Sequence, residues 1–130
     1  MNILGIGTDI IEVTRIEAAL RRHGRRFLQR IFTEKERLYC LNHQHPLPHL
    51  AARWCAKEAV AKALGTGLGA LLSWQEIEID RMPTGAPEVL LSTNARERFR
   101  DPLLFISMSH CKQYAVATAL HCRIFERGPI

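Results

Sequence analysis

The chain has 130 residues, 47% of them hydrophobic, and its 18 lysines and arginines outnumber 13 aspartates and glutamates for a net charge of +5. That length describes one domain, residues 1–130, with a modest core that oligomerisation would help to cover. No apolar run approaches the ~20 residues of a membrane span, and Met1 to Gly7 lacks the basic and long apolar regions of a secretory signal, so a cytoplasmic protein with no membrane partner is expected.

Ile3 to Asp9 reads as a short buried strand, in which Gly5 and Gly7 admit a neighbouring backbone or a ligand closely. Gly5-x-Gly7 is not a dinucleotide fingerprint, because the third glycine and a following βαβ pattern are missing. Asp9 closes the strand, as a turn or cap residue or as a paired or metal-bound carboxylate. Ile10 to His23 follows as a helix with Val13, Ile16, Ala19 and Leu20 inward and Arg15 outward. Arg25 to Phe32 is a second short helical segment. Arg15, Arg21, Arg22, Arg25, Arg26 and Arg30 crowd this stretch. Such a cluster is either a solvated face or a patch for an acidic protein, nucleic acid or a phosphate-rich small molecule.

Thr33 and Glu36 form a capping box for a helix that runs to about Asn42. His43 to His49 is a proline-broken loop, whose three histidines are poorly held for a metal. From about Leu50 a long helix runs to Leu64. Ala56, Ala59, Val60 and Ala63 share its core face, and so many alanines imply close packing. Glu58 and Lys62 share the other side, four apart, where their head groups can meet. Gly65 supplies a left-handed stop, and Gly65-Thr66-Gly67 offers backbone N–H groups to a phosphate.

Ser73 to Asp80 alternates as a strand, Arg81 to Pro87 is a turn, and Glu88 to Leu91 pairs back. Ser92 or Thr93 caps a short helix through Arg100. Leu103 to Ser109 and Tyr114 to His121 are the last strands. The alanines of the final strand read as a surface for a close partner copy. The tail after Cys122 carries no motif. The pattern predicts an α+β domain, an antiparallel sheet with a long central helix packed against it. Cys40, Cys55, Cys111 and Cys122 lack zinc spacing and read as free thiols in a reducing compartment.

Asp9 and Glu58 are carboxylates on different elements. Hard divalent cations are held by one or two carboxylates plus substrate phosphates. Lys62 is a point charge for a phosphate oxygen. Ser107, Ser109 and His110 add hydroxyls and an imidazole at a strand end. The set is equipment for phosphoryl transfer.

These residues also stand in a recognisable order: Gly5-Ile6-Gly7-Thr8-Asp9 with Arg15; Phe32-Thr33-x-x-Glu36; Arg53-Trp54-x-Ala56-Lys57-Glu58-Ala59-x-x-Lys62-Ala63-Leu64-Gly65-Thr66-Gly67; Gly85-x-Pro87; and Ser107-x-Ser109-His110. Over nearly the whole chain this resembles the short, trimeric class of bacterial holo-acyl-carrier-protein synthases in the phosphopantetheinyl transferase superfamily. The resemblance implies transfer of 4′-phosphopantetheine from coenzyme A to a serine of apo-acyl carrier protein, for fatty acid biosynthesis, leaving adenosine 3′,5′-bisphosphate. It implies that Asp9 and Glu58 hold Mg²⁺, and that Glu58, or a water it and the metal orient, takes the serine proton. Asp9, Glu58 and Lys62 would be the catalytic group, with Lys62 on the phosphates. Arg53, Ser109 and His110 would bind the nucleotide, Gly65, Thr66, Gly67, Gly85 and Pro87 would shape its pocket, and Arg15, Arg22 and Arg26 would dock the acidic carrier protein. Each site would be shared between two subunits of a trimer.

Two other classes match parts of the pattern. Asp9 with Glu58-x-x-x-Lys62 also resembles a metal-dependent nuclease triad, which would cut DNA and ignore coenzyme A. A basic binding domain would use the arginines on nucleic acid, but these lack the interleaved aromatics that stack on bases. Nucleic acid is therefore not the expected partner.

Overall fold

The first strand runs further than its glycines suggest. In the computed structural model, which describes residues 1–124, β1 spans Asn2–Glu12 and pairs antiparallel with the last strand, β5 (Tyr114–Arg123). Ile10 and Ile11 are β-branched and continue the ladder opposite Val116 and Ala115. Asp9 therefore lies in mid-strand opposite Ala117 and does not close the strand. The rest of the tail, residues 125–130, lies outside the described residues.

α1 (Val13–His23) ends at Gly24, whose φ of 57° turns the chain into α2 (Arg25–Ile31). α3 (Glu34–Leu41) opens on the expected capping box: Thr33 N–H donates to Glu36, and Glu36 N–H donates to the Thr33 hydroxyl. α4 (Pro46–Ala63) begins four residues before the sequence pattern places it. Pro46 and Pro48 stand in its first turn, where a missing N–H costs nothing and a fixed φ is already helical. Most of what reads as a histidine loop is thus helix.

α4 is buried nearly all round and forms the centre of the domain. The sheet β1-β5-β4, with β4 (Leu103–His110) at its far edge, lies against it. A β-carbon at Gly5 or Gly7 would sit 2.0 Å from the carbonyl oxygen of Ala63 or Ala59, so only glycine lets β1 approach the helix this closely. Ala115, Ala117 and Ala119 face the same way and are buried. Close packing is as expected, but the surface these alanines meet is the chain's own α4, not a partner copy. The opposite face of the sheet is apolar and uncovered, with Ile6 66% and Ile10 65% exposed beside Val116 and Phe105.

A turn of 3-10 helix, Trp74–Glu76, replaces the start of the predicted strand, because Ser73 and Glu76 cap each other there. β2 (Ile77–Arg81) and β3 (Pro87–Leu91) form a separate hairpin, and Ser92 caps α5 (Thr93–Arg98). One ionic contact ties these parts together. Lys57 of α4 is fully buried, 2.6 Å from Glu36 of α3, and donates to the carbonyls of Ile31 and Trp74. Glu36 also accepts from the Ile79 N–H. Burial pushes Lys57 down, and the Glu36 charge opposes this. Every partner is satisfied, which a buried pair requires. Among the described residues no helix is long and apolar enough to cross a membrane, and all four cysteines are free.

Candidate active site

Two groups of side chains form on different sides of α4. The first joins Asp9 of β1 to Glu58 and Lys62 of α4. The Lys62 ammonium donates to the Asp9 carboxylate at 3.2 Å and to the Thr8 carbonyl at 2.9 Å. Lys62 thus pairs across to the strand and not with Glu58 four residues back, since no Glu58–Lys62 ion pair forms among the described residues. Burial raises the Glu58 carboxyl above its usual range, Asp9 adds to the rise, and Lys62 opposes it. Two carboxylates in each other's field, one without an ion-pair partner, are a donor set that a hard divalent cation fits and relieves. No group of three or more His, Cys, Asp or Glu side chains among the described residues could hold a metal, so further ligands would come from substrate phosphate or water. Cys55 lies beside Asp9, donates to the Ala115 carbonyl, and is pushed up to about 12, chiefly by burial; it remains a thiol.

Gly65-Thr66-Gly67 follows Lys62. Its N–H groups turn back onto the carbonyls of Lys62 and Ala61, closing the end of α4, and do not form an open anion nest. The carbonyl end of a helix also repels an anion. What remains is open backbone surface, where a β-carbon at either glycine would meet nothing within 4 Å.

The second group surrounds Tyr39 of α3. Arg53 of α4 lies 4.1 Å from the centroid of its ring and Arg81 of β2 lies 5.0 Å away. Arg81 donates to the Gly85 carbonyl at 3.0 Å, and Pro87 pairs with Arg81 across the hairpin. His43 and His49 stack near Tyr39, and His110 of β4 meets His49. Arg53 is only 2% exposed, and its Nε is buried without a hydrogen-bond partner.

Arg53, which the sequence places far from the others, lies on the Tyr39 ring; His110 is linked to it through His49, and Gly85 and Pro87 only through Arg81. Tyr39, His43, His49 and Arg81 were not singled out for this site by sequence reasoning. His49 and Arg53 are four apart on one helix, a signal that appears once α4 starts at Pro46. Five residues separate Arg53 from Glu58, which is about 140° around the helix, so the two groups face away from each other. Ser109 pairs with Val116 and is exposed on the uncovered sheet face, apart from both. Arg15 and Arg22 are exposed two turns apart on α1, and Arg26 is exposed on α2.

Residues 5–119, which contain both groups, match the profile of the 4′-phosphopantetheinyl transferase superfamily. The chain belongs to that superfamily. As a phosphopantetheinyl transferase it is an enzyme. It is 50% identical over 120 residues to the holo-[acyl-carrier-protein] synthase of Chlamydia pneumoniae, covering 92% of this chain and 98% of the relative. Among solved structures it resembles the Neisseria meningitidis holo-[acyl-carrier-protein] synthase, with a TM-score of 0.88 at 32% identity over 94% of this chain and 100% of the other. The Helicobacter pylori holo-[acyl-carrier-protein] synthase in complex with coenzyme A aligns at a TM-score of 0.82 and 32% identity, over 90% of this chain and 99% of that one. The transferase fold is therefore that of this family: antiparallel strands around a buried central helix.

Proposed function

We propose that the chain is a cytoplasmic holo-[acyl-carrier-protein] synthase. It moves 4′-phosphopantetheine from coenzyme A to a serine of apo-acyl carrier protein, with Mg²⁺, and releases adenosine 3′,5′-bisphosphate in the service of fatty acid biosynthesis. The observation that carries this reading is the meeting of Asp9, Glu58 and Lys62 in a chain 50% identical to such a synthase.

Asp9 and Glu58 would hold the Mg²⁺, which when bound neutralises charge on the pyrophosphate. The serine oxygen forms a bond to the pantetheine-bearing phosphorus as the bond to adenosine 3′,5′-bisphosphate breaks. Glu58, or a water that it and the Mg²⁺ would orient, takes the serine proton. Lys62, about half exposed, meets a phosphate oxygen. His110 binds the nucleotide end, with the buried Arg53 holding Tyr39 behind it; Ser109, on the uncovered sheet face, would serve a site completed by a second copy, and Gly65, Thr66, Gly67, Gly85 and Pro87 line the path. The test is mass spectrometry of apo-acyl carrier protein after incubation with the enzyme, coenzyme A and Mg²⁺. Gain of one phosphopantetheine is expected; DNA cleavage with no gain would favour a nuclease.

The working unit is a homotrimer with shared sites. The two groups lie on different sides of α4, and a second copy can bring one group to the other. The uncovered apolar sheet face of Ile6, Ile10, Phe105 and Val116 supplies the contact surface. Light scattering at micromolar concentration is expected to give three times the chain mass. A monomer with full turnover would remove the shared site.

Arg15→Glu is expected to weaken carrier-protein binding and spare coenzyme A. Arg15 is exposed on α1 in the basic row, where charge mainly sets encounter and register. Calorimetry with each ligand separately checks it, and equal losses would move Arg15 to the nucleotide site or the fold.

A further inference from the structure

A groove of about 470 Å³ lies between α2 and α3. Leu28 of α2 and Leu38 and Leu41 of α3 line it, with Arg25 and Arg37 beside them. Leu38 is 67% and Leu41 48% exposed, and no other large hydrophobic side chain in a described helix is exposed. The two leucines are three apart and share a face of α3. Glu36 and Cys40 take the buried face, on roughly the opposite side. α3 therefore carries an apolar stripe that the fold itself leaves uncovered.

The rim of the groove is cationic. Arg25 has no ion-pair partner among the described residues. Arg37 donates to the Phe32 carbonyl at 2.6 Å and likewise meets no carboxylate there. Glu34 is the one carboxylate lining the groove, and it stands in the first turn of α3, where the helix N-terminus offsets its charge. No aromatic ring lines the groove, so nothing there stacks on a base. Two rings join this region to the Asp9–Glu58 group. Trp54 lies one turn before Glu58 on α4 and stacks on Phe27 of α2, next to Leu28, with 6.0 Å between ring centroids.

We infer that the α2–α3 groove is a second contact for the acidic carrier protein: it takes an apolar side chain of that partner against Leu28, Leu38 and Leu41, while Arg25 and Arg37 meet the carboxylates around it. The inference rests on the transferase reading, which supplies an acidic protein as substrate, and it adds a surface to the α1 and α2 arginines already assigned. Charge selects the occupant. A second copy of this chain, with its net charge of +5, would bring like charge to this rim, whereas an acidic partner complements it. The division of labour is that of an ordinary protein interface. Exposed arginines steer the encounter and set its register, and an apolar centre shielded from water slows dissociation.

The experiment is steady-state kinetics of the full-length Leu38→Asn/Leu41→Asn variant, with apo-acyl carrier protein and coenzyme A varied separately. Both side chains are exposed, so thermal unfolding should move little. The KM for the carrier protein should rise on the order of tenfold, as when a leucine is lost from a buried contact, with kcat and the coenzyme A KM unchanged. Arg37→Gln should raise the same KM about threefold and lessen its dependence on salt. An unchanged carrier-protein KM in the leucine variant overturns the inference and leaves the transferase reading intact. Equal rises in both KM values, or a lower mass by light scattering, also overturn it, since the leucines would then serve the fold or the contact between copies. No transfer by the native protein overturns the reading and the inference together.

Discussion

Asp9→Ala and Glu58→Ala are each expected to lower transfer on the order of 10³-fold or more while the fold persists. Loss of a charge-stabilising centre removes several kcal/mol from the transition state, and each ~1.4 kcal/mol is tenfold. The structure separates this from a folding defect. Glu58 is half-buried, has no ion-pair partner among the described residues, and has its carboxyl raised by burial and by Asp9, so its removal relieves a charged side chain. Asp9 is ion-paired with Lys62, which is 48% exposed and remains hydrated when its partner is gone, and it otherwise meets the Cys55 thiol, which stays neutral. Thermal unfolding should move little in either variant. Turnover measured across a Mg²⁺ titration decides the matter. Near-normal Mg²⁺-dependent turnover in either variant would remove the metal assignment.

The parts of the fold set by local rules were legible in the sequence. Thr33 and Glu36 declare a helix start because both halves of a capping box lie within four residues. Ser92 does the same for α5, and Gly65, at a φ of 83°, ends α4 where only glycine is relaxed. The errors came where tertiary partners outweigh local signals. β1 continues past Asp9 because Val116 and Ala115 stand ready to pair, which no local pattern announces. The prolines at 46 and 48 read as breakers but serve a first turn, and moving that start brings His49 and Arg53 onto one helix. Glu58 and Lys62 have ion-pair spacing, yet β1 offers Lys62 a carboxylate and a carbonyl together. The Tyr39 group draws on α3, α4, β2 and β4, so its assembly had no signature in any single segment.

Lys62→Ala is expected to cost turnover on the order of 10²–10³-fold and to leave carrier-protein affinity nearly unchanged. Lys62 sits one turn beyond Glu58 and holds the Asp9 carboxylate, on a different element from the exposed arginines of α1 and α2. A cation there meets the phosphate whose charge shifts as the group is transferred, and such a contact acts on the transition state more than on the ground state. The competing account is structural: the ammonium merely pins β1 to α4 through Thr8 and Asp9. An ion pair this exposed contributes little to stability, so that account predicts a nearly neutral change in turnover. Steady-state kinetics with coenzyme A and apo-acyl carrier protein tell the two apart. A fall in kcat with the carrier-protein KM held places Lys62 on the reacting phosphate. Unchanged kcat would return Lys62 to a tie between strand and helix, with Asp9 and Glu58 left as the whole of the catalytic group.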